Sequence, residues 1–107
     1  MIKHVVAFRF RPEISNPDRE RILAQLNSFP GQYPAMRNWT LSPNSSTRDT
    51  TMSHAFIVEF DNRADLDAYL TGTPHETFVR EVWRPVIETQ TIVTLESGDL
   101  SVVRSAA

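Results

Sequence analysis

The 107-residue sequence predicts an α+β fold in the order β-α-β-β-α-β. Three observations carry that expectation. Apolar and polar residues alternate with period two at the start of the chain and again in three later stretches. Two segments of helical spacing separate these stretches, and the second is interrupted by a glycine. The length matches one ordinary domain, so all of these elements share a single core.

Residues Ile2–Phe10 alternate cleanly, with His4, Val6, Phe8 and Phe10 on one face and Val5, Ala7 and Arg9 on the other. Pro12 ends the strand, because proline donates no hydrogen bond to a ladder. Asn16 followed by Pro17 reads as a helix cap with proline at the first helical position. Ile22, Leu23, Leu26 and Phe29 then recur at helical spacing until Pro30 and Gly31 stop the helix. Residues 35–42 read as a second strand, Arg37, Trp39 and Leu41 opposing Met36, Asn38 and Thr40. A polar loop over residues 43–51 leads to a third strand, His54–Phe60, with Phe56, Val58 and Phe60 on one side.

Asp61 and Asn62 cap a short helix over residues 64–70, whose apolar face is Leu66, Tyr69 and Leu70. Gly72 breaks it. Thr73, Pro74 and Glu76 form a capping-box pattern that starts a further helix carrying Phe78, Val79, Val82 and Trp83 and fading at Pro85. Residues 89–95 make the last strand. The domain spans residues 1–96, and residues 97–107 form a tail whose Leu100, Val102 and Val103 suit an edge strand at a dimer interface. This order is the ferredoxin-like arrangement with an antiparallel sheet. Its helices cover one face only, and pairing of the bare faces of two copies would close a dimeric α/β barrel.

Composition narrows the function classes. A net charge of −2 offers no basic footprint for nucleic acid or anionic lipid. With no cysteine there is no disulfide, thiolate metal site or thiol nucleophile, which suits a reducing cytoplasm. No apolar run is long enough to span a bilayer, and the N-terminal residues read as a strand without signal-peptide regions. Gly-rich phosphate loops, nucleophile elbows and HExxH zinc motifs are missing from the sequence. Neither a cofactor nor a side-chain metal site is expected. Histidine and carboxylates are left for any chemistry.

Three segments resemble the stress-responsive A/B barrel (Dabb) family, a branch of the dimeric α+β barrels. They are the opening strand Ile2–Phe10, the run Pro34, Ala35, Met36, and the block from Leu66 to Leu70 continuing as Pro74, His75, Glu76, Thr77, Phe78, Val79. The resemblance implies a homodimeric barrel. In polyketide-cyclase members of the family the residues matching Tyr69 and His75 are the catalytic pair. Two departures stand out: Gly72 occupies the place of a further family histidine, and the proline directly precedes His75. A role needing two histidines in this block is therefore not implied. Some family members also hold a magnesium ion through backbone carbonyls near the end of the first helix, here around residues 30–36, and such ligation leaves no side-chain signature.

His75 is the first candidate, since a histidine accepts and returns protons near neutral pH. It falls in the first turn of a helix, where the dipole disfavours the charged ring. Its plain alternative is a surface residue at a helix start. Tyr69, six residues earlier across the break, would donate a hydrogen bond to a carbonyl or enolate oxygen, or else is an amphipathic core residue. His4 points into the same cleft if its face packs under the helices, and is otherwise a satisfied histidine at the core edge. His54 is expected to be exposed. Phe8, Leu26, Val58, Phe78 and Trp83 are core residues first and become pocket walls where a cavity exists.

Three functions follow. The first is a cofactor-free cyclase or isomerase that abstracts a proton next to a carbonyl of a hydrophobic small molecule. The second is a non-catalytic stress-associated or ligand-binding dimer. The third is a monooxygenase-like member of the same superfold.

Overall fold

The computed structural model describes residues 1–97. Its elements in chain order are β1 (Ile2–Phe10), α1 (Asn16–Asn27), α2 (Phe29–Gln32), β2 (Arg37–Pro43), β3 (His54–Phe60), α3 (Arg63–Thr71) and α4 (Thr73–Phe78). A π-helical turn (Val79–Trp83), a final helical turn α5 (Arg84–Val86) and β4 (Ile87–Glu96) complete them. The four strands form one antiparallel sheet in the order β2-β3-β1-β4. This is the expected ferredoxin-like α+β topology, with the second helical segment broken at Gly72. The expected edge strand in the tail lies outside the described residues.

The alternation of β1 decides which residues enter the core. Ile2, His4, Val6, Phe8 and Phe10 are buried, while Lys3 is exposed and Val5, Ala7 and Arg9 are half-buried on the opposite face. β3 repeats the pattern, burying Phe56, Val58 and Phe60. From the helices, Ile22, Leu26, Phe29, Leu66, Tyr69, Phe78 and Trp83 close over this surface. Phe8 is fully buried and packs edge-on against Trp83 at 4.7 Å and Phe10 at 5.8 Å.

Five local expectations are corrected. Pro30 and Gly31 do not end the first helix: α1 stops at Asn27, and both residues lie inside the short turn α2, where proline at the start of a helix is tolerated. The α1 cap is Ser15, whose hydroxyl accepts the Asp18 N–H at 3.2 Å, so Asn16 is already helical. The capping box does not form: Gly72 ends α3 and caps α4, which draws Thr73 into the helix without a side-chain cap bond. β2 departs from strict alternation because Asn38 adopts a left-handed φ of 52° within a register shift between Arg37 and Thr40. Beyond that bulge, Trp39 lies on the helix-covered side, stacked on Phe56 at 5.0 Å. His54 is half-buried rather than exposed, stacked on Phe8 at 5.6 Å.

Pro85 explains how the last helix ends. It has no N–H for an α-helical bond, and its ring crowds the preceding turn. The chain widens into the π turn just before it, and the Arg84 N–H reaches back five residues to the Val79 carbonyl. The Phe8→Ala chain should lose about 3–5 kcal/mol of stability. A urea denaturation series would show this as a lower midpoint with an unchanged slope.

Candidate active site

Pairing between β1 and β4 builds one wall of the site. His4 stands opposite Thr94, Val6 opposite Ile92 and Phe8 opposite Gln90, all facing the helices. The other wall comes from Leu26 and Phe29 of the first helical segment, Tyr69 and Leu70 of α3, and His75 and Phe78 of α4. Val79 and Trp83 of the π turn complete it. These residues line an open cavity of about 270 Å³, mostly apolar and slightly below the usual size of ligand pockets, with Gln90, Ile92 and Thr94 exposed to solvent.

Tyr69 and His75 meet because the chain turns sharply at Gly72. The turn uses ordinary extended angles, φ −68° and ψ 144°, so it needs glycine for space rather than for backbone freedom. A Cβ there would come within 3.0 Å of the Ala68 carbonyl oxygen. The turn folds α4 back on α3 and leaves the Tyr69 and His75 ring centroids 4.5 Å apart. His75 Nδ1 lies 3.0 Å from the Leu70 carbonyl oxygen. A carbonyl only accepts, so Nδ1 carries the proton and Nε2 keeps the basic lone pair. His75 also borders a shallower hollow shared with Glu76, Arg80 and Arg84, which places it between cavity and surface.

Burial sets the charge states. It pushes His75 below the usual histidine value, against the opposing pull of the Leu70 carbonyl and Glu76. His4 is lowered by burial first, then by His75 and Arg63, and its Nδ1 pairs with the Thr94 hydroxyl at 3.1 Å. Both rings are neutral at pH 7. Burial and the neighbouring Tyr33 drive the Tyr69 phenol far above its usual range, so it stays protonated. Tyr33 packs edge-on against Tyr69 at 5.0 Å, and its buried hydroxyl takes no hydrogen bond of normal geometry among the described residues.

The structure thus brings His75, Tyr69, His4, Leu26, Phe78 and Trp83 to one cavity. Phe8 and Val58 lie fully buried in the core beneath it, outside its lining. Sequence reasoning missed Thr94 and Gln90, whose approach follows from strand register rather than from any local pattern. Among the described residues no group of three histidine, aspartate or glutamate side chains is placed to hold a metal ion. In the backbone segment 30–36 the Tyr33 carbonyl accepts the Met36 N–H.

A pH dependence of stability follows from the buried histidines. Their folded pKa values lie below the ordinary 6.5, so the unfolded chain binds more protons in the interval between. Stability is therefore greatest above pH 6.5 and falls as the pH drops below it. Thermal melts between pH 8 and pH 5 should show a falling Tm. The decline should be shallower in His4→Gln, which keeps a partner for Thr94 but cannot titrate; an unchanged decline would refute the assignment to His4.

The comparisons with known proteins fall into line with this architecture. A Dabb family protein with a ferredoxin-like fold from Mesorhizobium loti superposes with a TM-score of 0.82 at 19% identity, covering 92% of this chain and 97% of that one. A hydroxynitrile lyase from Passiflora edulis gives 0.79 at 20% identity, covering 88% and 90%. A dimeric protein of unknown function from Bacteroides fragilis gives 0.69 at 21% identity, covering 90% and 95%. At these identities the likeness establishes the fold alone. No curated protein sequence matches the chain. The sequence model of the stress responsive A/B barrel domain matches residues 2–97, and with the fold it describes now in view, the chain belongs to that family.

Proposed function

We propose that this chain is a cofactor-free enzyme acting on a hydrophobic carbonyl compound, with His75 as general base and Tyr69 as hydrogen-bond donor. The observation that carries this reading is the pairing of those two rings, 4.5 Å apart, on the wall of one apolar cavity. Nε2 of His75 would take a proton from the carbon next to the substrate carbonyl. The electrons of that bond would move to the carbonyl oxygen, and the Tyr69 hydroxyl would stabilise the resulting enolate. The enolate carbon could then attack a second carbonyl of the same molecule, and the imidazolium would return its proton to the new alkoxide. Where the substrate carries a β,γ double bond, the enolate is a dienolate, and return of the proton to its γ-carbon gives an isomerisation instead. Both outcomes conserve atoms and charge without a cofactor. The likeness to a hydroxynitrile lyase is in keeping with acid–base chemistry on this scaffold.

Exchange of the α-protons of 2-decanone in heavy water, followed by NMR, tests the first step without knowledge of the natural substrate. The wild-type chain should accelerate exchange, and His75→Ala should lose about 10²–10⁴-fold of that acceleration with its circular dichroism unchanged. Tyr69→Phe should slow it by a smaller factor. Equal exchange in wild type and His75→Ala would defeat the assignment. Binding of the ketone without exchange would favour the non-catalytic ligand-binding role.

We also infer a homodimer. The uncovered sheet face carries Val5, Ile57, Val93 and Leu95, the last two exposed at 43% and 53%. Solved structures similar to this chain include proteins described as dimeric. A second copy placed on this face would remove those side chains from water. Light scattering should give twice the chain mass, and Val93→Glu should shift it towards one chain; a wild-type monomer would refute the pairing.

A further inference from the structure

The cavity has a second polar end that the Tyr69–His75 chemistry does not use. Trp83 is buried at 5% exposure, and its indole Nε1–H donates to Gln90 Oε1 at 2.8 Å. The indole nitrogen is only a donor, so the Gln90 carboxamide must turn its oxygen to Trp83. The amide NH₂, with two N–H groups, has no acceptor among the described residues and belongs to a solvent-exposed side chain that lines the cavity. Trp83 is itself fixed from behind by edge-on packing on Phe8 at 4.7 Å. The donor is therefore held in place by packing and by a hydrogen bond.

Strand geometry sets how far this donor lies from the catalytic end. Gln90 and Thr94 are four residues apart on β4 and face the same side, opposite Phe8 and His4 on β1. At about 3.3 Å per residue their backbone positions are about 13 Å apart. Between the two ends the wall is apolar: Val6, Phe56, Phe78 and Ile92. We propose that Gln90, oriented by Trp83, is a specificity-determining subsite. The cavity then takes an elongated apolar molecule carrying the reacting carbonyl at one end and a hydrogen-bond acceptor, such as a second carbonyl, at the other. This inference rests on the reading of the His75–Tyr69 end as a carbonyl site.

Paired ligands separate the two ideas. Decane-2,9-dione offers carbonyls at both ends of its chain, and 2-decanone at one only. Their affinities can be measured by tryptophan fluorescence and by the side-chain amide resonances of glutamine. The wild-type chain should bind the dione about threefold to tenfold more tightly, the worth of one additional net hydrogen bond. Gln90→Leu removes the amide. Gln90→Glu keeps an acceptor for Trp83 but replaces the NH₂ with an oxygen, so it controls for collapse of the Trp83 side chain. Both variants should bind the two ketones alike.

Equal binding by the wild-type chain, or a preference that survives in either variant, would overturn the subsite while leaving the carbonyl site standing. Failure of both ketones to bind would overturn the carbonyl reading and the subsite with it.

Discussion

The central strand Ile2–Phe10 constrains what every other element can do. It is hydrogen-bonded on both sides, to β3 and β4, so its register fixes the positions of both neighbours. A slip of one residue would carry Ile2, Val6, Phe8 and Phe10 to the opposite face and undo the core. His4 shares that buried face, the one buried polar residue among the described residues. A histidine within an apolar strand face must find a polar partner or border a cavity, and His4 does both. The site is thus a consequence of how the core is patterned.

The helix break at Gly72 supplies the opposing wall. An uninterrupted helix would put Tyr69 and His75 six residues apart and therefore on different faces. Ending α3 and starting α4 at one residue turns His75 back, so that Leu70, adjacent to Tyr69, accepts its Nδ1 proton. That single bond orients the ring and decides which nitrogen is basic. Burial then favours the neutral imidazole and the protonated phenol. Packing, tautomer and charge state all follow from one short turn.

Solved structures about one-fifth identical to this chain share its fold, so the scaffold tolerates wide substitution. Such tolerance is expected where strand alternation and helix spacing carry the architecture. In this chain glycine stands at the helix break and a hydrogen-bonded Trp83–Gln90 pair lines one end of the cavity.

The sequence by itself determined the element order, the buried faces of β1 and β3, and the spacing between Tyr69 and His75, because periodicity, proline and glycine act over a few neighbouring residues. It also marked Leu26, Phe78 and Trp83 as apolar without saying which of the apolar residues would meet empty space. Phe8 and Val58 carry the same pattern, yet they lie in the core while the others face the cavity. Caps were legible only to within a residue, since Ser15 and Asn16 are both good caps and the fold selects between them. Only the tertiary structure decided that Thr94 and Gln90 stand beside residues some ninety and eighty positions earlier, His4 and Phe8. Those neighbours are chosen by strand register, a non-local pairing that no local pattern along the chain encodes.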